Sequence, residues 1–350
     1  MVANDEQSKP GVENDEPAYP LLSSQHPDAL LEALVSIDVC QPIETIVSVD
    51  KAGEGNMNLT LRVTTDQRSV IVKQARPWVE KYPDIAASDE RILAEINFYL
   101  NVSKFADVYA AMPSVLATDP QQRLLVLEDL GLASDYASFY DRSAEQSEVD
   151  RVFDLAMDWI SQLHDCEVAS DQPIGCKPLR TLNHQHIFTI PLADPPVIDL
   201  NEVCDGLTTV SQKLLADDSV QQAMAKVGEV YLSDDGGVLL HGDYYPGSWL
   251  KTDAGFRVID PEFCFVGPPE FDLGVLAAHW IFCGGQANRV AVDRVVNASG
   301  RQVSEGLVFG FAGAELIRRL LGVAQLPLNA DLQRRTQWLE CGIQFLQESL

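Results

Sequence analysis

Two acidic residues carry the clearest chemical signal in this sequence. Asp243 closes the tripeptide His241-Gly242-Asp243, directly after the apolar run Val238-Leu239-Leu240. Asp260 stands seventeen positions later, directly after Val258-Ile259. Both runs read as short strands and a turn containing Gly255 joins them, so the carboxylates are expected on one rim. Such a pair suits phosphoryl transfer. One carboxylate orients an attacking hydroxyl or accepts its proton, and the other anchors the metal that bridges the phosphates. Ser248, five positions after Asp243, is placed to supply a second metal ligand or to touch a phosphate. Glu262 faces the same way as Asp260 on an extended segment, and either joins the metal site or stands behind it. An isolated His-Gly-Asp is common in turns. The weight lies in the whole string: HGD, four residues, Ser248, ten residues, then IDPEF.

The elements that must position these groups fall into two blocks. Residues 21–130 are expected to form a small β-rich lobe. His26–Val35 reads as a short helix with Pro27 near its start. Glu44–Val72 alternates as strand, Gly-rich turn, strand, turn, strand. A helix over about Ser88–Val102 follows, with Ser88 or Asp89 as N-cap. Arg123–Leu130 reads as a further strand. Residues 131–350 are expected to form a larger, mainly helical lobe. It contains helices at Val149–His164 and Val210–Glu229, a loop-rich stretch over 170–200 with five prolines, and a helical end from Phe271 on. Ligands favour the cleft between two such units.

Composition excludes several classes. The net charge of −27 repels phosphate backbones, so neither nucleic acid nor an anionic membrane is an expected partner. No apolar run approaches the roughly 18 residues that span a bilayer. Residues 1–20 are acidic and Pro-containing, unlike a signal peptide, and read as a disordered tail. The seven cysteines show no paired or metal-binding spacing, which suits reduced thiols and a cytoplasmic location. His184 and His186 alternate at strand spacing but have no third ligand nearby, so polar loop or substrate-pocket roles are expected. Trp249, Trp280 and Trp338 read as core. His241 is expected to support the loop, and Asp272 to hydrogen-bond its backbone. Gly53-Glu54-Gly55-Asn56-Met57-Asn58 lies between two strands, where small residues let backbone N–H groups approach phosphate oxygens. It lacks the GxxxxGK[ST] pattern of a P-loop.

The string from His241 to Gly274 resembles the aminoglycoside phosphotransferase and choline kinase superfamily, which has a protein-kinase-like fold. Within it, the string is most similar to the methylthioribose kinase family. Ser248 stands where other relatives usually carry Asn, and Asp260-Pro261-Glu262 where protein kinases carry Asp-Phe-Gly. Gly53–Val63 and Val70–Val79 resemble that family's nucleotide loop and lysine strand, and Phe311–Gln325 its twin-arginine helix. The resemblance covers most of residues 44–345 and weakens over 135–235.

The resemblance implies an α+β, two-lobed fold that uses ATP and Mg²⁺. Asp243 would be the catalytic base, and Asp260, with Ser248 or Glu262, would hold the metal. Lys73 would reach the phosphates, oriented by Glu95, with Glu90 the alternative. Gly53, Gly55, Asn56 and Asn58 would cover the nucleotide, and Glu128 and Leu130 would mark the hinge whose backbone pairs with adenine. Arg318 and Arg319, on a helix beginning near Gly313, would face the acceptor and the transferring phosphate. Adjacent helical residues point about 100° apart, so one of the two is expected at the surface.

The implied acceptor is the hydroxyl of a small molecule, S-methyl-5-thioribose giving its 1-phosphate. Two features depart from the family: Tyr244-Tyr245-Pro246 replaces its usual Leu-His-Thr, and the chain is shorter than the family norm, mainly in the helical lobe. They leave open another alcohol acceptor (a sugar, an amino alcohol or an aminoglycoside) or a nucleotide-binding pseudokinase. A homodimer is also left open.

Overall fold

The computed structural model describes residues 17–53, 57–168, 174–233 and 237–349. The first lobe opens with α1 (Pro27–Ser36), with a proline in its first turn. The alternating segment forms β1 (Ile46–Lys51), β2 (Leu59–Thr65) and β3 (Ser69–Gln74), each antiparallel to the next. A hairpin, β4 (Trp78–Val79) and β5 (Tyr82–Ala86), leads to α2 (Arg91–Val102) and α3 (Ala106–Tyr109). Then come β6 (Val115–Asp119) and β7 (Leu124–Glu128), which complete a sheet of order β1-β2-β3-β7-β6.

Strand periodicity sorts the two faces of this sheet. Val70, Val72, Leu124 and Val126 pack with Leu30 and Leu34 of α1. Ile71, Leu125 and Leu127 join the larger core that includes α2. Lys73 lies two residues after Ile71 on β3, and so points toward α2 rather than α1.

The second lobe begins with β8 (Ser134–Asp135) and α4 (Gln146–His164). The stretch over 170–200, expected as loop, is largely helical where it is described. It holds α5 (Lys177–His184), a π-helical turn at Gln185–Thr189 and a 3₁₀ turn at Ile190–Leu192. Its prolines mislead because Pro178 and Pro191 sit in first turns, where no N–H is needed. His184 and His186 therefore lie on helical backbone, not on a strand.

Helix α6 (Leu200–Val203) precedes the expected Val210–Glu229 helix, which is two: α7 (Leu207–Leu214) and α8 (Asp218–Leu232), the latter capped by Asp217. The segment from Val238 to Gly267 holds four strands rather than two. β9 (Val238–Leu240) pairs with β12 (Phe265–Gly267), while β10 (Trp249–Thr252) and β11 (Gly255–Val258) form a hairpin joined by β8. Four helices close the chain: α9 (Glu270–Phe282), α10 (Arg289–Ala298), α11 (Glu305–Leu321) and α12 (Leu332–Glu348).

Helix α9 is buried along its whole length, and α11 from Val308 onward. Trp249, Trp280 and Trp338 are core residues as expected. Tyr19, assigned to the tail by sequence, is packed instead. Its hydroxyl donates to the Ala75 carbonyl and to Asp89, each at 2.9 Å. Packed structure is thus present before residue 21.

Charged side chains inside the protein are balanced. Among the described residues Lys73, Arg91, Arg318, Arg319 and Arg335 are buried, as are Glu44, Glu95, Glu270, Asp272 and Glu315. All seven cysteines are free thiols.

Candidate active site

Lys73 bridges the two lobes. Its Nζ lies 2.5 Å from Glu95 Oε1 on α2 and 2.6 Å from Asp260 Oδ1, beyond β11. Burial opposes the charge on Lys73, but Asp260 and Glu95 outweigh it and hold the ammonium well above its usual pKa. Glu90, the other candidate partner, is exposed. Helix α2 starts at Arg91, later than the Ser88 or Asp89 cap predicts, and its N-cap residue Glu90 makes no side-chain cap.

Arg91 went unnoticed in the sequence reading. It is fully buried and spends its donors on Asn58 Oδ1 at 2.8 Å and on the carbonyls of Arg76, Ser88, Met57 and Trp78. Asn58 in turn donates to Glu262 Oε2 at 2.7 Å. Burial pushes the Glu262 carboxyl up to about 8, against the pull of Lys73. Asn58, expected at the nucleotide, thus links the strand after the Gly-rich turn to the Asp260–Glu262 turn. Gly53 turns the chain with φ +75°, and Gly55 and Asn56 lie outside the described residues.

Asp243 sits on a loop fixed from behind. The Asp272 carboxylate accepts the N–H groups of His241 at 2.9 Å and Gly242 at 3.1 Å, and His164 approaches it at 3.2 Å. His241 Nε2 lies 3.0 Å from the Ile259 carbonyl, tying the loop to the strand before Asp260. Both residues brace the loop as the sequence suggests. Gly242 has φ +86°, and a Cβ there would lie 2.0 Å from the Phe263 carbonyl oxygen, so this turn admits glycine alone. Ser248 Oγ donates to the Asp243 carbonyl at 2.9 Å, which makes it a brace of the same loop. Asp260 adopts the left-handed conformation, φ 62° and ψ 52°, uncommon for a residue with a Cβ and concentrated at functional sites.

Helix α11 supplies the cations. Arg319 Nη2 lies 3.1 Å from Asp243 Oδ1, and Arg318 Nη1 lies 3.8 Å from the same oxygen. The helix starts at Glu305, well before Gly313, and both arginines are buried, so neither is the surface charge expected. The reason is Glu315, one turn earlier. It accepts from Arg318 at 2.9 Å and from Arg319 Nε at 2.6 Å.

Behind Glu315 stands His279 at 3.0 Å, and behind His279 the Tyr140 hydroxyl at 2.6 Å. Glu315 only accepts, so Nε2 of His279 carries the proton and Nδ1 accepts from Tyr140. Burial holds the His279 pKa down to about 4, although Glu315 pulls the other way. The unfolded chain takes this proton near pH 6.5 and the native one only near 4, so His279 lowers stability as pH falls through that window. In an NMR titration the His279 ring resonances should stay unmoved from pH 8 to about pH 5.

Glu128, which the resemblance implies as part of the hinge, is the last residue of β7, and Leu130 follows two positions later. Glu128 accepts from Ser114 N at 3.1 Å and Oγ at 2.8 Å. Asp129, between Glu128 and Leu130, takes a two-point contact from Arg62 at 2.8 and 2.9 Å. Among the described residues no cluster of three or more His, Cys, Asp or Glu is arranged to hold a metal, and none of the helices is long and apolar enough to cross a membrane.

Residues 48–301 match the sequence model of the phosphotransferase enzyme family. The chain is 29% identical to the methylthioribose kinase of Pectobacterium atrosepticum, over 87% of this chain and 86% of that one. It is 26% identical to the methylthioribose kinase of Exiguobacterium sibiricum, over 82% of each. The choline kinase of Streptococcus pneumoniae shares the fold with a TM-score of 0.53 at 14% identity, over 93% of this chain and 99% of that one. A choline/ethanolamine kinase family protein from Mesorhizobium loti gives 0.51 at 14% identity, over 91% and 98%. The architecture is the two-lobed, protein-kinase-like one that the sequence implies.

Proposed function

Because the chain belongs to the phosphotransferase enzyme family and is a small-molecule kinase, we propose that it uses ATP to phosphorylate S-methyl-5-thioribose at its 1-hydroxyl. The products are ADP and the 1-phosphate. The observation that carries this reading is the meeting of Asp243 with Arg319 and Arg318 on one side of the cleft, and of Asp260 with Lys73 on the other. The likeness to two methylthioribose kinases over most of their length supports the acceptor.

In this reading Asp243 accepts the proton of the acceptor hydroxyl as its oxygen bonds to the γ-phosphorus. The bond from that phosphorus to the β-γ bridging oxygen breaks, and its electron pair leaves with ADP. Arg319 and Arg318 set the direction of the Asp243 carboxylate and offset negative charge on the moving phosphoryl oxygens. Lys73 holds the α- and β-phosphates, and the backbone of Glu128–Leu130 meets the adenine.

A hard oxygen donor set suits Mg²⁺, which takes one or two carboxylates beside phosphate oxygens and water. Asp260, part exposed at the cleft, and Glu262 meet that description, while Ser248 is turned to the Asp243 carbonyl. Asp260 and Glu262 would hold such an ion, which would supply positive charge against the phosphates.

The test is ADP release by the purified protein against a panel containing methylthioribose, choline, ethanolamine, simple riboses and aminoglycosides. Methylthioribose should give the highest kcat/KM. Turnover of another alcohol with none of methylthioribose would overturn the acceptor and leave the kinase chemistry standing.

A further inference from the structure

We propose that Tyr245 is a positioning residue of this site, whose ring holds the Arg319 guanidinium against Asp243. The inference rests on the reading of Asp243 as the proton acceptor. Arg319 is held at its edges by hydrogen bonds to Glu315, Asp243 and the Ala324 carbonyl. Edge contacts of this kind leave a guanidinium free to tilt out of its own plane. The Tyr245 ring supplies the missing restraint, with the guanidinium carbon 4.7 Å from its centroid.

The ring is itself well fixed. Its far neighbour is the His279 ring, at 5.2 Å between centroids. Gly247 makes room for it, since a Cβ there would lie 2.6 Å from the ring carbon Cζ. Pro246 restricts the preceding residue to extended backbone, and Tyr245 has φ −143° and ψ 170°. The Tyr-Pro pair that departs from the family string therefore acts as one device: the proline sets the backbone and the tyrosine caps the cation. Its neighbour Tyr244 has a separate task, donating to the Ala156 carbonyl at 3.0 Å and stacking on Trp159.

The experiment compares Tyr245→Leu, Tyr245→Phe, Arg319→Lys and the Leu/Lys double variant, with Tyr245→Met in place of Leu if Leu fails to fold. Tyr245→Leu should lower kcat by about tenfold to thirtyfold, the scale of a desolvated cation–π contact, with the KM for ATP unchanged. Tyr245→Phe, which keeps the ring, should keep most of the rate. The double variant should be little slower than Arg319→Lys alone, because Tyr245 acts through Arg319.

A crystal structure of Tyr245→Leu should show Arg319 moved off Asp243, a readout independent of turnover. An unchanged Arg319–Asp243 contact in that structure, additive losses in the cycle, or Tyr245→Phe as slow as Tyr245→Leu would each overturn the proposal. If wild type turns over no acceptor, the functional reading fails and the structure alone decides the role of Tyr245.

Discussion

Asp243→Asn should lower kcat by about 10²–10⁴-fold while leaving ATP binding close to wild type. Asparagine keeps the shape of the side chain, and its carbonyl oxygen can still receive Arg319. It cannot take a proton from the acceptor hydroxyl. The loop itself should survive, because it is held by Asp272, His241 and Ser248 rather than by the Asp243 carboxylate. Nucleotide contacts on the Lys73 side lie on other elements and should also survive. Single-turnover kinetics gives the rate, and calorimetric titration with ATP gives the affinity. Equal rates in the two proteins would remove Asp243 from the chemistry. ATP binding with no turnover even in wild type would mark the chain as a pseudokinase.

The second large effect is on stability. Glu315→Ala should cost about 3–5 kcal/mol, because it leaves two buried guanidinium groups without their shared carboxylate. Glu315 is 1% exposed and meets Arg318, Arg319 and His279 within 3.0 Å. Arg319 would keep Asp243, the Ala324 carbonyl and the face of Tyr245, and Arg318 would keep no contact shorter than 3.8 Å to a carboxylate. Urea unfolding with an unchanged m-value measures the loss. Glu315→Gln, which keeps an acceptor but no charge, should fall between the two. A cost below about 1 kcal/mol for the alanine variant would mean that water enters and replaces the carboxylate.

Much of this site is legible from local pattern. Asp243 and Asp260 stand at the ends of apolar runs, and Lys73 at the end of Val70-Ile71-Val72, so their placement follows from strand periodicity. Glu95 follows from the family resemblance alone, with Glu90 as the alternative, and the structure makes the contact to Lys73 directly. What stayed hidden depends on residues far apart in sequence. The chain Tyr140, His279, Glu315, Arg319, Asp243 draws on four separate elements, and no spacing rule joins them. For that reason the arginine pair looked half exposed, when Glu315 one turn away buries both. Arg91 left a fainter trace: a lone cation opening an apolar helix, which a reader takes for a solvated end. The helices over 177–192 stay hidden because proline weighs toward loop unless its place in the first turn is known.

The balanced interior has a bearing on how this protein meets its solvent. Five buried cations and five buried carboxylates occur among the described residues, so they cancel in the sum. The negative excess carried by the described residues therefore lies at the boundary with water, where like charges push the folded shell apart. Dissolved ions shorten the reach of that repulsion from about 30 Å at 0.01 M to about 3 Å at 1 M. The Lys73, Arg318 and Arg319 contacts are sheltered from the same ions by burial. Added salt thus relaxes the exterior while the buried contacts of Lys73, Arg318 and Arg319 stay as they were.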